Sequence, residues 1–478
     1  MTESSPSYFF CGLGGSGMLP LALILQSQGA KISGSDRAYD QGRTPEKFDF
    51  IQKQGISLFP QDGSGITEDC SALVTSAAVE VSIPDVQRAR ALGIPILLRA
   101  ELLAMAFNKA ETRIGIAGTS GKSTTTGMIG YVLKKMGRNP TVMNGAVFRN
   151  FVSENQPYAT ALLGSPDLFV SECDESDGSV VYYEPTVAVL TNISLDHKSV
   201  KETSQAFLAF LSRAKHRIVN LDNPIAAELL KHLSGFPVTF GIENEGARFV
   251  AHNLDPRPDG ISCEICDQET GEATTLSLMI PGQHNVENAL ACIAVVSYLG
   301  APLSQTCRFL ESFQGVKRRM EIIGTANGVT VIDDFAHNPD KIAATLSTLN
   351  EFSGRVLILF QLHGYGPLSL MHKELAEVFQ QYLASEDRLY IPEVLYLGGT
   401  TDQSFTAQDF VKEMKALNVP AQWFAQREDI VSQLVADAEE GDRIVVMGAR
   451  DDSLTMVAKD ILAQIETRLS NSPKSRAG

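Results

Sequence analysis

Short apolar runs bounded by glycine and polar residues alternate along this chain with longer stretches of helical spacing. Tyr8–Leu13 predicts a strand, the glycine-rich segment 12–17 a turn, and Leu19–Gln28 a helix closed by Gly29. Lys31–Gly34 predicts a second strand that ends at Asp36, and 72–75 and 94–98 predict two more, with a helix at 86–92 between them. Such alternation is the pattern of a parallel sheet with crossover helices. It restarts near residue 108, with a strand at 113–117, a glycine turn at 118–121 and a helix at 122–136. Buried strands are expected at 168–171 and 187–190, and a long helix at 286–299. After Gly315 the pattern opens again, with strands at 329–332, 356–360, 394–397 and 443–447 and helices at 339–349 and 369–382.

A chain of 478 residues exceeds what one core usually serves. The start and two restarts of the pattern predict domains at 1–107, 108–316 and 317–478. A formal net charge of −16 argues against nucleic acid as partner, since phosphate backbones are met by basic patches. An anionic small ligand in a glycine-rich pocket remains compatible with it. The N-terminal MTESSPSYFF lacks the basic and apolar regions of a signal peptide. No window is apolar enough to predict membrane insertion. The seven cysteines show no repeated spacing, and the lone C-x-x-C at Cys263 and Cys266 has no second pair, so packing is the expected role. The cytoplasm is the expected location.

Two glycine loops carry the chemistry. Gly12, Gly14 and Gly17 form G-x-G-x-x-G between strand and helix, with Asp36 about two dozen residues on, a spacing suited to a diphosphate on a helix N-terminus and an acid on a ribose. Alone, it leaves NAD and a UDP-sugar equally open. The second, Gly118-Thr119-Ser120-Gly121-Lys122-Ser123, sits where backbone N–H groups can wrap phosphate, with Lys122 for the β- and γ-phosphates and Ser123 for Mg²⁺. The full Walker pattern would need glycine at Ile116. Ser171–Gly178 (SECDESDG) ends an apolar strand and offers Glu172 to the metal. Thr191–Ser199 (TNISLDHKS) ends another and offers Asp196 and His197. Asp333 and Asp334, preceded by Arg318 and Arg319, suit ribose and phosphate, although structural ion pairing explains them equally well.

The ordered set GLGGSGM (12–18), GSD (34–36), TSAAV (75–79), LLRAELL (97–103), GTSGKSTTT (118–126), ECDESDG (172–178), TNISLDH (191–197), GQHNVENAL (282–290), FQGVKRRMEIIG (313–324) and DDFAHNP (333–339) resembles the Mur ligases. The similar branch contains UDP-N-acetylmuramate–L-alanine ligase and the muropeptide ligase of cell-wall recycling. The resemblance implies an α/β architecture of three domains: Rossmann-like for UDP, a central P-loop ATPase, and a Rossmann-like C-terminal domain for the amine. It implies an ATP-dependent ligase in which a carboxylate is phosphorylated and the acyl phosphate attacked by an amine. UDP-N-acetylmuramic acid, ATP and L-alanine (or a preformed tripeptide) would be the small-molecule substrates, with two Mg²⁺ ions, in a monomer or homodimer.

By position, the resemblance puts Gly118, Thr119, Ser120, Gly121, Lys122, Ser123 and Thr124 on the ATP phosphates. His284, Asn285 and Asn288 would lie near adenine, and Arg319 and Asp334 would reach the nucleotide from the third domain. Ser123, Glu172 and His197 would serve the metals, while Lys122, Arg319 and His337 would act at the reacting centre. Gly14, Gly15, Ser16, Gly17, Asp36, Ser76 and Arg99 would surround UDP. Ser120 and Asn338 depart from histidines usual in this branch, and Lys215 is a weak candidate for the carbamylated lysine of other branches. FQLHGYGP (360–367) partly resembles the alanine-adding enzyme, whereas VKRRMEIIG and DDFAHNP look closer to the recycling ligase; L-alanine is the expected amine, with the preformed tripeptide as the alternative.

Overall fold

The structure, a computed structural model, describes residues 5–76, 79–196, 198–396, 402–451 and 453–470. Three sheets follow one another along the chain. The first orders its strands β3-β2-β1-β4-β5, all parallel, from β1 (Ser7–Cys11), β2 (Lys31–Ser35), β3 (Ser57–Phe59), β4 (Ala72–Thr75) and β5 (Ile96–Leu98). This is the open doubly wound arrangement expected of the first unit.

The central sheet has ten strands, β15-β14-β13-β12-β11-β10-β6-β9-β7-β8. Its parallel heart is β6 (Thr112–Ala117), β7 (Pro140–Met143), β9 (Ser165–Glu172), β10 (Val187–Leu190), β11 (His216–Asn220) and β12 (Val238–Gly241), with the short β8 (Ala161–Leu162) antiparallel at the edge. An antiparallel meander of β13 (Phe249–Arg257), β14 (Gly260–Asp267) and β15 (Glu272–Leu278) extends the other edge. β10 is buried at every position, which explains its unbroken apolar run. The third sheet runs β16-β17-β21-β18-β19-β20, from β16 (Glu321–Ala326), β17 (Val329–Asp334), β18 (Val356–Gln361), β19 (Arg388–Ile391), β20 (Ala421–Trp423) and β21 (Arg443–Gly448). Only β16 is antiparallel in it.

Two corrections concern strands. The run expected to pair at 394–397 is not strand over 394–396, and Leu397 lies outside the described residues; the place beside β18 is taken by β19 just before it. The meander was not anticipated at all. Cys263 and Cys266 fall on β14 three residues apart, hence on opposite faces, and burial pushes the Cys263 thiol up to about 12.

One apolar core is continuous between the first and central units, joining Phe10, Leu21 and Phe107 to Phe169, Tyr183 and Phe210. Phe107 meets Phe169 and Tyr183 edge-on, with ring centroids 5.6 and 5.2 Å apart. The third unit keeps two cores of its own, one on each face of its sheet. Among the described residues, no helix is long and apolar enough to cross a membrane.

Candidate active site

β6 continues through Ala117, so Ile116 is a fully buried strand residue and the phosphate loop opens only at Gly118. That shorter loop is why the Walker glycine is missing. At Gly121 the backbone turns with φ +85°, and a Cβ there would lie 2.4 Å from Asn288 Oδ1. Asn288 belongs to the helix Gln283–Tyr298, and its Oδ1 also accepts from Thr125 Oγ1 at 3.0 Å. Its amide donates to Asn285 Oδ1 at 3.2 Å, and Asn285 in turn donates to Pro281 O at 2.7 Å. From the other side, Asn192 at the end of β10 accepts from Ser120 N at 2.8 Å, and Ser194 N donates to Thr119 Oγ1 at 3.0 Å. Two separate segments therefore hold the loop open with its N–H groups at a helix N-terminus, the geometry that receives anions.

Lys122 is the first residue of the helix Lys122–Lys135, and its Nζ donates to Gly118 O and to Glu175 Oε2, both at 2.7 Å. Burial alone would lower its pKa, but Glu175, Asp174 and Glu172 more than reverse this and hold the ammonium charged. Beside it, Ser123 Oγ donates to Glu172 Oε2 at 2.8 Å. Burial raises the Glu172 carboxyl, opposed by Ser123 and Lys122. Asp174 is also raised by burial, but Lys122 and Ser176 outweigh this and bring it to about 2. Gly145 leaves room for Glu172: a Cβ there would stand 2.0 Å from Oε1.

A hydroxyl and a carboxylate side by side at the foot of a phosphate loop are hard oxygen donors of the kind Mg²⁺ takes. Among the described residues, no group of three or more His, Cys, Asp or Glu is placed to hold a metal ion. His197 lies outside the described residues. Lys215 is exposed before the start of β11, at the opposite end of the sheet from these groups.

The third unit closes the site from across. Arg318 and Met320 both adopt left-handed backbone, with φ 59° and 48°. Arg318 spans Asp333 Oδ1, Asp451 O and Gly448 O at 3.3, 2.9 and 2.7 Å. Arg319 lies over the Phe335 ring with its guanidinium carbon 4.3 Å from the centroid. Asp334 accepts from Met320 N at 3.2 Å and from Thr345 Oγ1 at 2.5 Å, and burial raises its carboxyl. His337 donates from Nδ1 to Phe335 O at 2.8 Å, leaving Nε2 3.8 Å from Asp196 Oδ1. Lys341, in the first turn of the helix Pro339–Asn350, reaches across to Asp196 Oδ2 at 2.9 Å.

These groups share one cavity of about 870 Å³ with the first glycine loop. Gly15, Ser16, Gly17, Ser76 and Arg99 line it, as do Thr119 to Thr124, Glu172, His284, Asn285, Asn288, Arg319, Asp334 and His337. Gly14, Asp36 and Gly118 do not line it. Asp36 takes Gly14 N and Ala38 N, each at 2.8 Å, so its oxygens fix the loop and cap the helix that follows. Arg99 pairs with Asp177 of the central unit at 3.0 Å. Burial brings the His284 imidazole down to about 4, so it is neutral near neutral pH.

Sequence reasoning missed Glu175 as the partner of Lys122, Asn192 as a brace of the loop, and Lys341 altogether. Glu175 was hidden among four neighbouring acids, whereas the strand-end position of Asn192 was the available signal.

Residues 7–110 match the Mur ligase family catalytic domain, 116–296 the Mur ligase middle domain and 318–450 the Mur ligase glutamate ligase domain. The chain is 32% identical over 453 residues to the UDP-N-acetylmuramate–L-alanine ligase of Caldicellulosiruptor bescii, covering 93% of this chain and 96% of that one. Its fold is similar to that of a UDP-N-acetylmuramate–alanine ligase from Thermotoga maritima, with a TM-score of 0.77 at 24% identity over 97% and 99% of the two chains. A murein peptide ligase from Psychrobacter arcticus is similar with a TM-score of 0.71 at 21% identity, over 97% and 99%. With three matched domains in order around one shared cavity, the chain belongs to the Mur ligase family.

Proposed function

We infer that this protein joins L-alanine to UDP-N-acetylmuramic acid in an ATP-dependent reaction. The observation that carries this is the shared cavity. A phosphate loop, a second glycine loop and the Arg319–Asp334 edge of a third unit meet there, which is what two nucleotide substrates and an amine require. The similar chain from Caldicellulosiruptor bescii supports L-alanine as the amine. On this reading UDP, ATP and the amine belong to the units 1–107, 108–316 and 317–478 in turn.

A carboxylate is a poor acyl donor until a leaving group is attached. Its oxygen attacks the γ-phosphorus, that O–P bond forms, and the bridging bond to ADP breaks with its electron pair leaving on ADP. The amine then attacks the carbonyl carbon, loses a proton, and inorganic phosphate departs. Lys122 and the loop N–H groups bind the phosphates, and Arg319 meets them from the third unit. Bound Mg²⁺ would be held by Ser123 and Glu172, with His197 for a second ion, and would supply further neutralising charge. On this reading His337 serves the incoming amine; its Nε2 lies 3.8 Å from Asp196 Oδ1. Gly15, Ser16, Gly17, Ser76 and Arg99 hold the UDP moiety, and His284 offers adenine a neutral ring.

The test is phosphate release from Mg-ATP with UDP-N-acetylmuramic acid, comparing L-alanine with L-Ala-γ-D-Glu-meso-diaminopimelate. Faster release with L-alanine and an amide product of matching mass is expected; a response only to the tripeptide would overturn the amine. Lys122→Ala should lower kcat by about a hundredfold or more, because a preorganised charge at the phosphoryl group is lost. Near-normal turnover would remove the phosphate loop from the mechanism.

A further inference from the structure

Lys341 stands against the local preference of its own helix. Asn338 caps the helix Pro339–Asn350, accepting from Lys341 N at 2.9 Å, so Lys341 occupies the third position of the first turn. The positive end of the helix dipole disfavours a cation there, and carboxylates or amides are the usual choice. The side chain is nonetheless drawn inward, lines the cavity, and ends on Asp196 of the central unit at 2.9 Å. Arg99 from the first unit and Lys122 within the central unit pair with acids there, and Lys341 reaches one from the third unit, beside His337 Nε2 at 3.8 Å from the same carboxylate. Burial lowers its pKa, Asp196 offsets this in part, and the nearby charges of Lys122 and Arg319 lower it further. Lys122, Lys341 and Arg319 line one cavity, and a polyanion is the ligand that would gather three cations there.

We propose that Lys341 is a catalytic residue of the first half-reaction: when substrates enter, its ammonium leaves Asp196 for the oxygens of the transferring phosphoryl group. This rests on the ligase function inferred above. The phosphoryl group is favoured over the carboxylate of the incoming amino acid by the segment Asn192–Asp196. That segment holds Lys341 at one end and braces the phosphate loop at the other, through Ser120 N and Thr119 Oγ1. Lys341 thereby brings charge from the third unit to the centre served by Lys122. No bond is made or broken by Lys341 itself, which only neutralises the oxygens as the phosphoryl passes from ATP to the carboxylate and ADP leaves.

The experiment traps the acyl phosphate with hydroxylamine, in the presence of Mg-ATP and UDP-N-acetylmuramic acid and without amine, so that hydroxamate reports the first half-reaction alone. Lys341→Met should lower hydroxamate formation about a hundredfold, in line with loss of one preorganised charge. Its KM for L-alanine should stay within about threefold, and Lys341→Arg should recover at least a tenth of the lost rate. Lys341→Gln keeps a donor for Asp196 without the charge, so it repeats the test should Lys341→Met fail to fold. Intact hydroxamate formation with a raised KM for L-alanine would move Lys341 to the amino-acid carboxylate and overturn the proposal. Unchanged values for both would reduce the pair to a contact between units and also overturn it. Absence of hydroxamate from the wild-type protein would instead overturn the ligase function itself.

Discussion

At the scale of single residues, the site depends as much on omitted atoms as on charged ones. Gly145 is exposed and needs no special backbone, yet a methyl group there would press on the Glu172 carboxylate at 2.0 Å. Gly145→Ala should therefore fold with an unchanged melting temperature while the Mg²⁺ concentration for half-maximal activity rises about tenfold or more, measured by metal titration of the phosphate-release rate. Glu287 offers a test in pH. Burial, then Asp222 and Glu243, raise its carboxyl to about 7, against a partial offset from Asn220. An unfolded glutamate ionises near 4.5, so between there and about 7 the folded state binds the extra proton, and stability falls as pH rises. Glu287→Gln removes that loss. Its melting temperature should exceed the parent's at pH 8, and the gap should close at pH 4.5.

At the scale of elements, the turn that delivers Arg319 is held by its neighbour. Arg318 carries a left-handed backbone, and its guanidinium meets the fully buried Asp333 and the carbonyls of Gly448 and Asp451. Arg318→Ala leaves a buried carboxylate without its cation, a loss of about 3 kcal/mol. Calorimetry should show the third unit melting earlier, with activity falling alongside. Arg318→Lys should not restore it, since an ammonium cannot span three acceptors set out for a planar fork.

Which elements were legible follows from their burial. β4 and β10 were read correctly because strands buried on both faces are plain apolar runs. The β13–β15 meander escaped because half of it faces solvent and its polar alternation resembles loop. The helix Val200–Arg213 escaped although Ser199 and Glu202 form a capping box and Phe207, Phe210 and Leu211 are buried along one face. In the site, the phosphate loop was legible because its glycines and lysine are neighbours in sequence. The Lys341–Asp196 pair was not, since 145 positions separate its members and a lysine in a first turn looks like surface charge.

At the scale of the molecule, the units are not joined alike. The first and central units share a core through Phe107, Phe169 and Tyr183. The central and third units meet mainly through polar contacts, among them Lys317 N to Val147 O at 2.9 Å and the Lys341–Asp196 pair. Phe107→Ala should cost about 3–5 kcal/mol and lower the melting of the first and central units together, while a separate third-unit transition stays in place. Calorimetry that moved only the first unit would contradict a common core.

That asymmetry has a meaning for descent. A unit with its own core and few apolar contacts to its neighbours can be exchanged between genes without unmaking the rest, whereas two units grown around one core must be inherited together. If the third unit selects the amine, recombination near residue 317 would give a new enzyme that activates the same carboxylate for a different nucleophile. Variety in the product would then come from replacing one cassette, and the ancestral chemistry of activation would pass unchanged through the other two.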